Sequence, residues 1–337
     1  MLSRYSDTIN FIHKLSPYKI LNGFKILFSY YISRWRKKPS LWGMPLSISV
    51  EPTTYCNLRC PQCISGLRAF TRPTGNLQME NFERLLDQNK ANLVYLLLYF
   101  QGEPYLNPDF LQMVKKAHSQ KIYTATSTNG HYLTSHAEAT VTSGLDRLII
   151  SIDGTDQQSY SKYRVGGSLS KVIAGAKALV AAKKALKSKT PHVIFQFIVM
   201  QHNEHQIETM ENLSKSVGVD ELQLKTVQVY DEAGVDLVPK NSKYARYYNN
   251  NGDLVIKNKL LNFCWKSWHS CVITWDGQIV PCCFDKDASH PMGNISQQSM
   301  LEIWQGDDYQ KFRKKLFSSR SEIDICANCT EGTKVFV

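Results

Sequence analysis

Long apolar runs are missing from this sequence of 337 residues. The longest clean stretch, Leu93 to Phe100, falls far short of the ~18 residues that a spanning helix needs. Asp7, His13 and Lys14 interrupt residues 1–25, so that segment does not read as a signal peptide. There is no internal repeat and no low-complexity tract. With 43% hydrophobic and 20% charged residues, 18 Gly and 12 Pro, composition excludes collagen, a disordered chain and a coiled-coil array. The nine histidines form no ligand spacing such as His-x3-His. The expectation is a cytoplasmic protein of about two domains, at roughly 150 residues per domain.

Acidic residues are scarce at the start. Residues 1–50 contain one acid, Asp7, against Arg4, Lys14, Lys19, Lys25, Arg34, Arg36, Lys37 and Lys38, which is +7 of the net +11. The remainder is close to balanced, so no nucleic-acid footprint across the body is expected. Residues 8–37 read as helical, with Ser16 and Pro17 as start signals. Leu21, Phe24, Phe28, Tyr31 and Trp35, three and four apart, form one apolar stripe. The preferred reading packs this stripe on the main domain and leaves the basic end solvated. The rival reading lays residues 1–38 on an anionic membrane surface, or docks them on a partner.

From Pro45 short apolar runs alternate with amphipathic stretches. Strands are expected at 46–50, 93–100, 122–127, 147–152, 192–200 and 221–226, with helices at 79–89, 109–119, 135–143, 168–186 and 205–217. This alternation predicts an α/β fold of βαβ units, an incomplete parallel (β/α)6 TIM-like barrel with its functional residues at the carboxyl ends of the strands. The expected organisation is a basic helical segment 1–44, a partial barrel 45–229, a polar linker 230–263 and a small Cys-rich domain 264–337. The linker includes Tyr247 to Asn251 followed by Gly252. The tail shows only a few helical turns, 300–305 and 308–317, and too few apolar residues for a core of its own.

Nine cysteines in a reducing compartment favour metal or redox chemistry over disulfides. Cys56-x3-Cys60-x2-Cys63 follows the first strand. Three thiolates on one loop supply three of the four ligands of a [4Fe–4S] cubane and leave one iron open to substrate or cofactor. A zinc knuckle with a distant fourth ligand is the alternative. In the tail, six cysteines close one four-thiolate cluster and leave two over, and a zinc site with the same ligands is the alternative there.

The segment Cys56-Asn57-Leu58-Arg59-Cys60-Pro61-Gln62-Cys63 resembles the signature of the radical S-adenosylmethionine (radical SAM) superfamily, and the resemblance extends to the end of the chain. It implies that the open iron binds S-adenosylmethionine, whose reductive cleavage yields a 5′-deoxyadenosyl radical that abstracts a substrate hydrogen. An electron donor such as flavodoxin or ferredoxin is implied as well. Gln101-Gly102-Glu103-Pro104 is similar to the family's Gly-Gly-Glu-Pro element, with Gln101 in place of the first Gly. The resemblance makes Gly102, Glu103 and Pro104 the holders of the cofactor's amino group, Ser127 and Asn129 further contacts, and Arg164 a partner for its carboxylate.

The tail, from Cys264 through Trp275-Asp276-Gly277 to Cys282, then Cys326-x2-Cys329, resembles a shortened SPASM or twitch-type extension. By that resemblance Cys264, Cys282, Cys326 and Cys329 hold one auxiliary [4Fe–4S] cluster, with Cys271 as the substitute. Cys283 becomes a candidate hydrogen donor, and Asp285 a candidate base, two residues beyond the position that maturase members use. The implied function is oxidation or epimerisation of a sugar-like small molecule or glycan. A peptide substrate is the alternative within the family. A metal-stabilised RNA- or membrane-binding protein without turnover is the alternative outside it.

Overall fold

Alternating apolar and amphipathic segments build one parallel sheet with helices packed against it. In the computed structural model, which describes residues 2–330 other than 251, 252 and 258, six strands lie side by side in chain order. They are β1 (Ser47–Val50), β2 (Tyr95–Leu97), β3 (Tyr123–Thr128), β4 (Arg147–Ser151), β5 (His192–Val199) and β6 (Glu221–Thr226), all parallel. The helices Met79–Asn89, Phe110–Ser119, Leu133–Thr142, Leu169–Ala185 and Ile207–Val217 return the chain between strands. Their buried faces place Phe82, Leu86, Val114, Leu179 and Met210 with Ile48, Leu96, Ile150, Phe195 and Phe197 in one core. Burial of that apolar surface is the main driving force for the layer. The ladder of β2 is shorter than the apolar run that predicts it, although Leu93 and Leu98 beyond its ends are also fully buried.

Two regions after β6 differ from expectation. The polar segment after β6, expected as a linker, contains a hairpin of β7 (Tyr247–Asn250) and β8 (Asp253–Ile256); Asn251 and Gly252 lie outside the described residues. The Tyr247 hydroxyl ties this hairpin down by accepting from the Val229 N–H and donating to Asn328 Oδ1. The Cys-rich tail also joins the barrel. Its β9 (Ser270–Ile273) pairs in parallel with β1, and β10 (Gln278–Val280) and β11 (Gly293–Asn294) continue antiparallel, giving the sheet order β11-β10-β9-β1-β2-β3-β4-β5-β6. Cys271, Ile273 and Ile279 enter the main core. Strands of two to four residues are too short for periodicity to register, and they find their core in the neighbouring domain.

The amino-terminal helix is in two pieces, α1 (Leu2–His13) and α2 (Pro17–Arg36). As the start signals predict, Ser16 Oγ accepts from the Lys19 N–H at 3.3 Å and Pro17 occupies the first turn. The preferred expectation, that the apolar stripe packs on the body, is reversed. The buried residues of α2 are Lys19, Asn22, Ile26, Ser29, Tyr30 and Ser33, and the stripe points outward.

Candidate active site

The loop after β1 is fixed before its thiols are considered. Glu51, fully buried at the strand's end, takes two bonds from the Arg72 guanidinium at 2.6 and 2.9 Å and one from the Trp275 N–H at 3.2 Å. Farther along, the Arg59 N–H donates to Val165 O, and the Glu103 N–H donates to Tyr55 O at 2.7 Å. Gly102 sits at φ +73°, and a Cβ there would lie 2.3 Å from Thr53 O. Only glycine lets the strand-end turn approach the loop so closely. Gly66 is similarly constrained, because its Cβ would fall 2.6 Å from Cys60 N.

Cys56, Cys60 and Cys63 then line one cavity of about 290 Å³ at the carboxyl ends of the strands, together with Gly102, Glu103, Ser127, Asn129, Arg164 and Cys283. Pro104 stands behind this wall, buried, and starts the short 3-10 turn Pro104–Leu106. Burial pushes the Cys56 thiol up to about 12, and it raises Cys60 as well, against the pull of the Arg164 guanidinium. That guanidinium lies 3.8 Å from Cys60 Sγ while its Nε holds the fully buried Asp153 carboxylate at 2.5 Å. The Leu58 N–H donates to Cys56 Sγ at 3.4 Å. Three thiols on one wall, beside an N–H and a guanidinium aimed at sulfur, suit an anionic iron–sulfur cluster. Among the described residues no three His, Cys, Asp or Glu side chains converge on a single-ion site, whereas a cubane spreads its thiolates over separate irons.

Glu103 is the buried acid of the cavity. Its carboxylate accepts from Thr128 Oγ1 at 2.7 Å, the Asn129 N–H at 2.7 Å and the Tyr105 N–H at 3.3 Å. Burial still dominates those bonds and raises its pKa to about 7. Ser127 and Ser151 face each other at 3.5 Å, and Asn129 Nδ2 donates to Asn57 Oδ1 at 2.7 Å. The cofactor candidates therefore gather around one wall.

A second group converges nearby. Cys264, Cys282, Cys326 and Cys329 line one small cavity, with Arg320 beside them. Cys271 lies elsewhere, on β9 in the main core, where burial pushes its thiol up to about 12 with Tyr309 and Arg313 as neighbours. Asp285 is not among the residues that line the cavity of Cys56, Cys60 and Cys63; it lines the space adjoining it. Its carboxylate accepts from the Ser289 N–H, Ser289 Oγ and the His290 N–H at 2.7–2.9 Å, which braces its own loop.

Two lysines escaped the sequence reading. Lys266 Nζ donates to Cys283 Sγ at 3.3 Å. Lys286, on the cavity wall, has its pKa lowered to about 8 by burial. Neither belongs to a motif. The sequence offers only their proximity to Cys264 and Cys283.

Residues 50–213 match the family model of the Radical SAM superfamily, and residues 264–330 match an iron–sulfur cluster-binding domain, SPASM. The chain belongs to the radical SAM superfamily. Membership of this superfamily brings S-adenosylmethionine, a [4Fe–4S] cluster and auxiliary iron–sulfur ligation, and with them an enzyme rather than a passive binder. This radical SAM chain is similar to the tungsten-containing aldehyde ferredoxin oxidoreductase cofactor-modifying protein of Pyrococcus furiosus, at 25% identity over 298 residues, 78% of this chain and 82% of that one. Solved structures share the fold. SuiB of Streptococcus suis bound to S-adenosylmethionine aligns with a TM-score of 0.64 at 16% identity, covering 86% of this radical SAM chain and 71% of the other. BtrN in complex with AdoMet and 2-DOIA aligns with a TM-score of 0.51 at 17% identity, covering 86% and 94%.

Proposed function

We propose that this enzyme inverts a carbon centre of a hydroxylated, sugar-like small molecule, with Cys283 returning the hydrogen. In this reading Cys56, Cys60 and Cys63 hold the cluster that binds S-adenosylmethionine, Gly102, Glu103, Ser127, Asn129 and Arg164 seat the cofactor, and Cys264, Cys282, Cys326 and Cys329 hold the auxiliary cluster. When bound, the cofactor supplies a 5′-deoxyadenosyl radical that removes a hydrogen atom from the substrate. Cys283 then breaks its S–H bond and gives the hydrogen atom to the substrate carbon radical on the other face. The thiyl left on Cys283 takes one electron from an external donor of the flavodoxin or ferredoxin class and one proton, which the Lys266 ammonium is placed to deliver.

The observation that carries this reading is the position of Cys283, whose thiol lines the same cavity as Cys56, Cys60 and Cys63 while Lys266 donates to it. An adjoining cavity of about 320 Å³ shares Gln62, Cys63 and Lys286 with the first and is lined also by Tyr230, Phe284, Asp231 and Asp285. Aromatic rings together with a few hydrogen-bonding groups are the usual lining of a small-molecule site. Oxidation is the second reading, supported by the four-cysteine cavity that Cys282, the neighbour of Cys283, brings alongside.

Turnover in D2O tests the choice, using candidate sugars and peptides under anaerobic reduction. Inversion through Cys283 predicts one solvent deuterium at the inverted carbon for each 5′-deoxyadenosine. Cys283→Ala is expected to keep forming 5′-deoxyadenosine without inverted product. A product two hydrogens lighter, with no solvent deuterium and no dependence on Cys283, would establish oxidation instead. Turnover only on peptides would replace the substrate class.

A further inference from the structure

Both amino-terminal helices are mounted inside out. On α2, Lys19 Nζ donates to Lys14 O and Lys121 O, Asn22 exchanges two bonds with the Met44 backbone at 2.9 Å, and Ser33 Oγ exchanges two with the Ser40 backbone at 2.8 Å. On α1, Asp7 is held by the Tyr123 hydroxyl and Arg147, and Asn10 bonds Asp146, which also pairs with Lys14 just beyond the helix. Ile26 and Tyr30 are the main apolar residues of α2 that turn inward, against Trp268. The outer face carries Tyr18, Leu21, Phe24, Phe28, Tyr31 and Trp35, each at least half exposed and Trp35 at 84%. Ile9 and Ile12 of α1 are exposed as well.

A folded protein does not spend its polar side chains on the interior contact and leave a face of this size to water without a cover. The charge around the face says what the cover is. Lys25, Arg36, Lys37 and Lys38 are exposed beside it, and the sole acid of residues 1–50, Asp7, is buried in its pair. An apolar face with Trp and Tyr among its residues and cations along its rim is complementary to an anionic bilayer surface. We propose that α1 and α2 dock this enzyme on an anionic lipid bilayer, with the outward faces of both helices seated at the headgroup level.

The anchoring polar contacts lie at Met44, Lys121, Asp146 and Arg147, all at the amino-terminal ends of β1, β3 and β4. The reaction cavity lies at the carboxyl ends. Docking therefore turns the mouth of the enzyme away from the lipid, and lipid contact is separate from chemistry.

Cosedimentation of the full-length protein with vesicles tests this directly. Vesicles of phosphatidylcholine with about one third phosphatidylglycerol should pellet the protein at low salt, pure phosphatidylcholine much less, and added salt should release it. Replacing Phe24→Asp with Phe28→Asp should weaken binding at least about tenfold through the lost apolar contact. Replacing Lys25, Arg36, Lys37 and Lys38 with Gln should do so by at least about tenfold on anionic vesicles alone. All of these side chains are exposed, so each variant should keep its circular dichroism melt and its 5′-deoxyadenosine production. Wild-type protein that stays in the supernatant with both vesicle types would overturn the proposal, as would variants that bind undiminished. A dimer in light scattering that Phe24→Asp and Phe28→Asp dissolve, without any vesicle binding, would assign the face to a second copy of the chain.

Discussion

Cys264 and Cys271 look interchangeable by spacing and differ completely in surroundings, so exchanging each for Ala separates two kinds of loss. Cys264 lines the cavity of Cys282, Cys326 and Cys329. Removing it from a four-thiolate set should drop reconstituted iron from about eight per chain to about four. Cys271 is 1% exposed on β9, opposite Ile48 of β1 and beside Tyr309 and Arg313. Its replacement deletes one buried sulfur from a packed core, which costs about 1–2 kcal/mol in transfer and cavity terms. The expected result is unchanged iron and a lower melting temperature. Anaerobic reconstitution, colorimetric iron analysis and paired melts read both quantities on the same samples. Loss of iron in Cys271→Ala, or full iron in Cys264→Ala, would refute the assignment of the two cysteines.

Other side chains give equally direct tests. Glu103, with its pKa raised from 4.5 to about 7 by burial, binds a proton more tightly folded than unfolded, so its contribution is full below about pH 4.5 and is lost as pH rises through 7, a change of about 3 kcal/mol. Glu103→Gln removes that dependence, so wild-type minus variant stability, from denaturant melts at pH 5 and pH 8, should fall by about that amount; a difference flat with pH would contradict the burial. Gly102→Ala places a Cβ against Thr53 O at a positive φ and should weaken S-adenosylmethionine binding by at least about tenfold through backbone strain, measured by equilibrium dialysis. Asp285→Asn should lower stability by about 1–2 kcal/mol, because one loop donor loses its acceptor, and should leave 5′-deoxyadenosine formation within about threefold. A loss of about 100-fold or more at unchanged stability would make Asp285 a general base instead.

Much of the barrel was legible because short apolar runs alternate with amphipathic helical stretches at the spacing of βαβ units, and β3 and β5 are buried along most of their length. Glu221–Thr226 and Met79–Asn89 coincide with expectation to the residue. The three-cysteine loop and the Gly102–Glu103 turn were legible because their chemistry demands residue types at fixed spacing. The face that α2 turns to the body was not. A stripe at three- and four-residue spacing states that one side is apolar, and the partner of that side depends on where Met44, Lys121 and Ser40 place their backbone groups. The strands of the tail were hidden for a related reason, since Ile273 and Ile279 find their core across the sheet in a domain more than two hundred residues earlier in the chain. Lys266 reaches Cys283 because β9 and β10 pair antiparallel, which brings the residues before one strand beside those after the other.

The extension of the sheet also explains how two cysteines that adjoin in sequence serve different spaces. β9 pairs with β1 over Ser47 to Val50, so the strand that delivers Cys56, Cys60 and Cys63 is held in fixed register with the strands leading to Cys282. Beyond β10 the chain bends at Pro281 and enters a turn closed by the Asp285 N–H donating to Cys282 O, so the backbone changes direction between Cys282 and Cys283. Cys282 accordingly lines the four-cysteine cavity, and Cys283 lines the one at the barrel mouth. Covering the β1 edge removes an unpaired ladder that would otherwise invite association. It also makes the tail part of the wall of the cavity at the barrel mouth, through Cys283 and Lys286. A tail tethered by a flexible linker would leave Cys283 free to wander by several ångströms, whereas hydrogen transfer to a substrate carbon requires near-contact placement. Pairing between β1 and β9 is therefore the structural reason that a thiol two hundred residues downstream of the first cysteine can serve the same cavity.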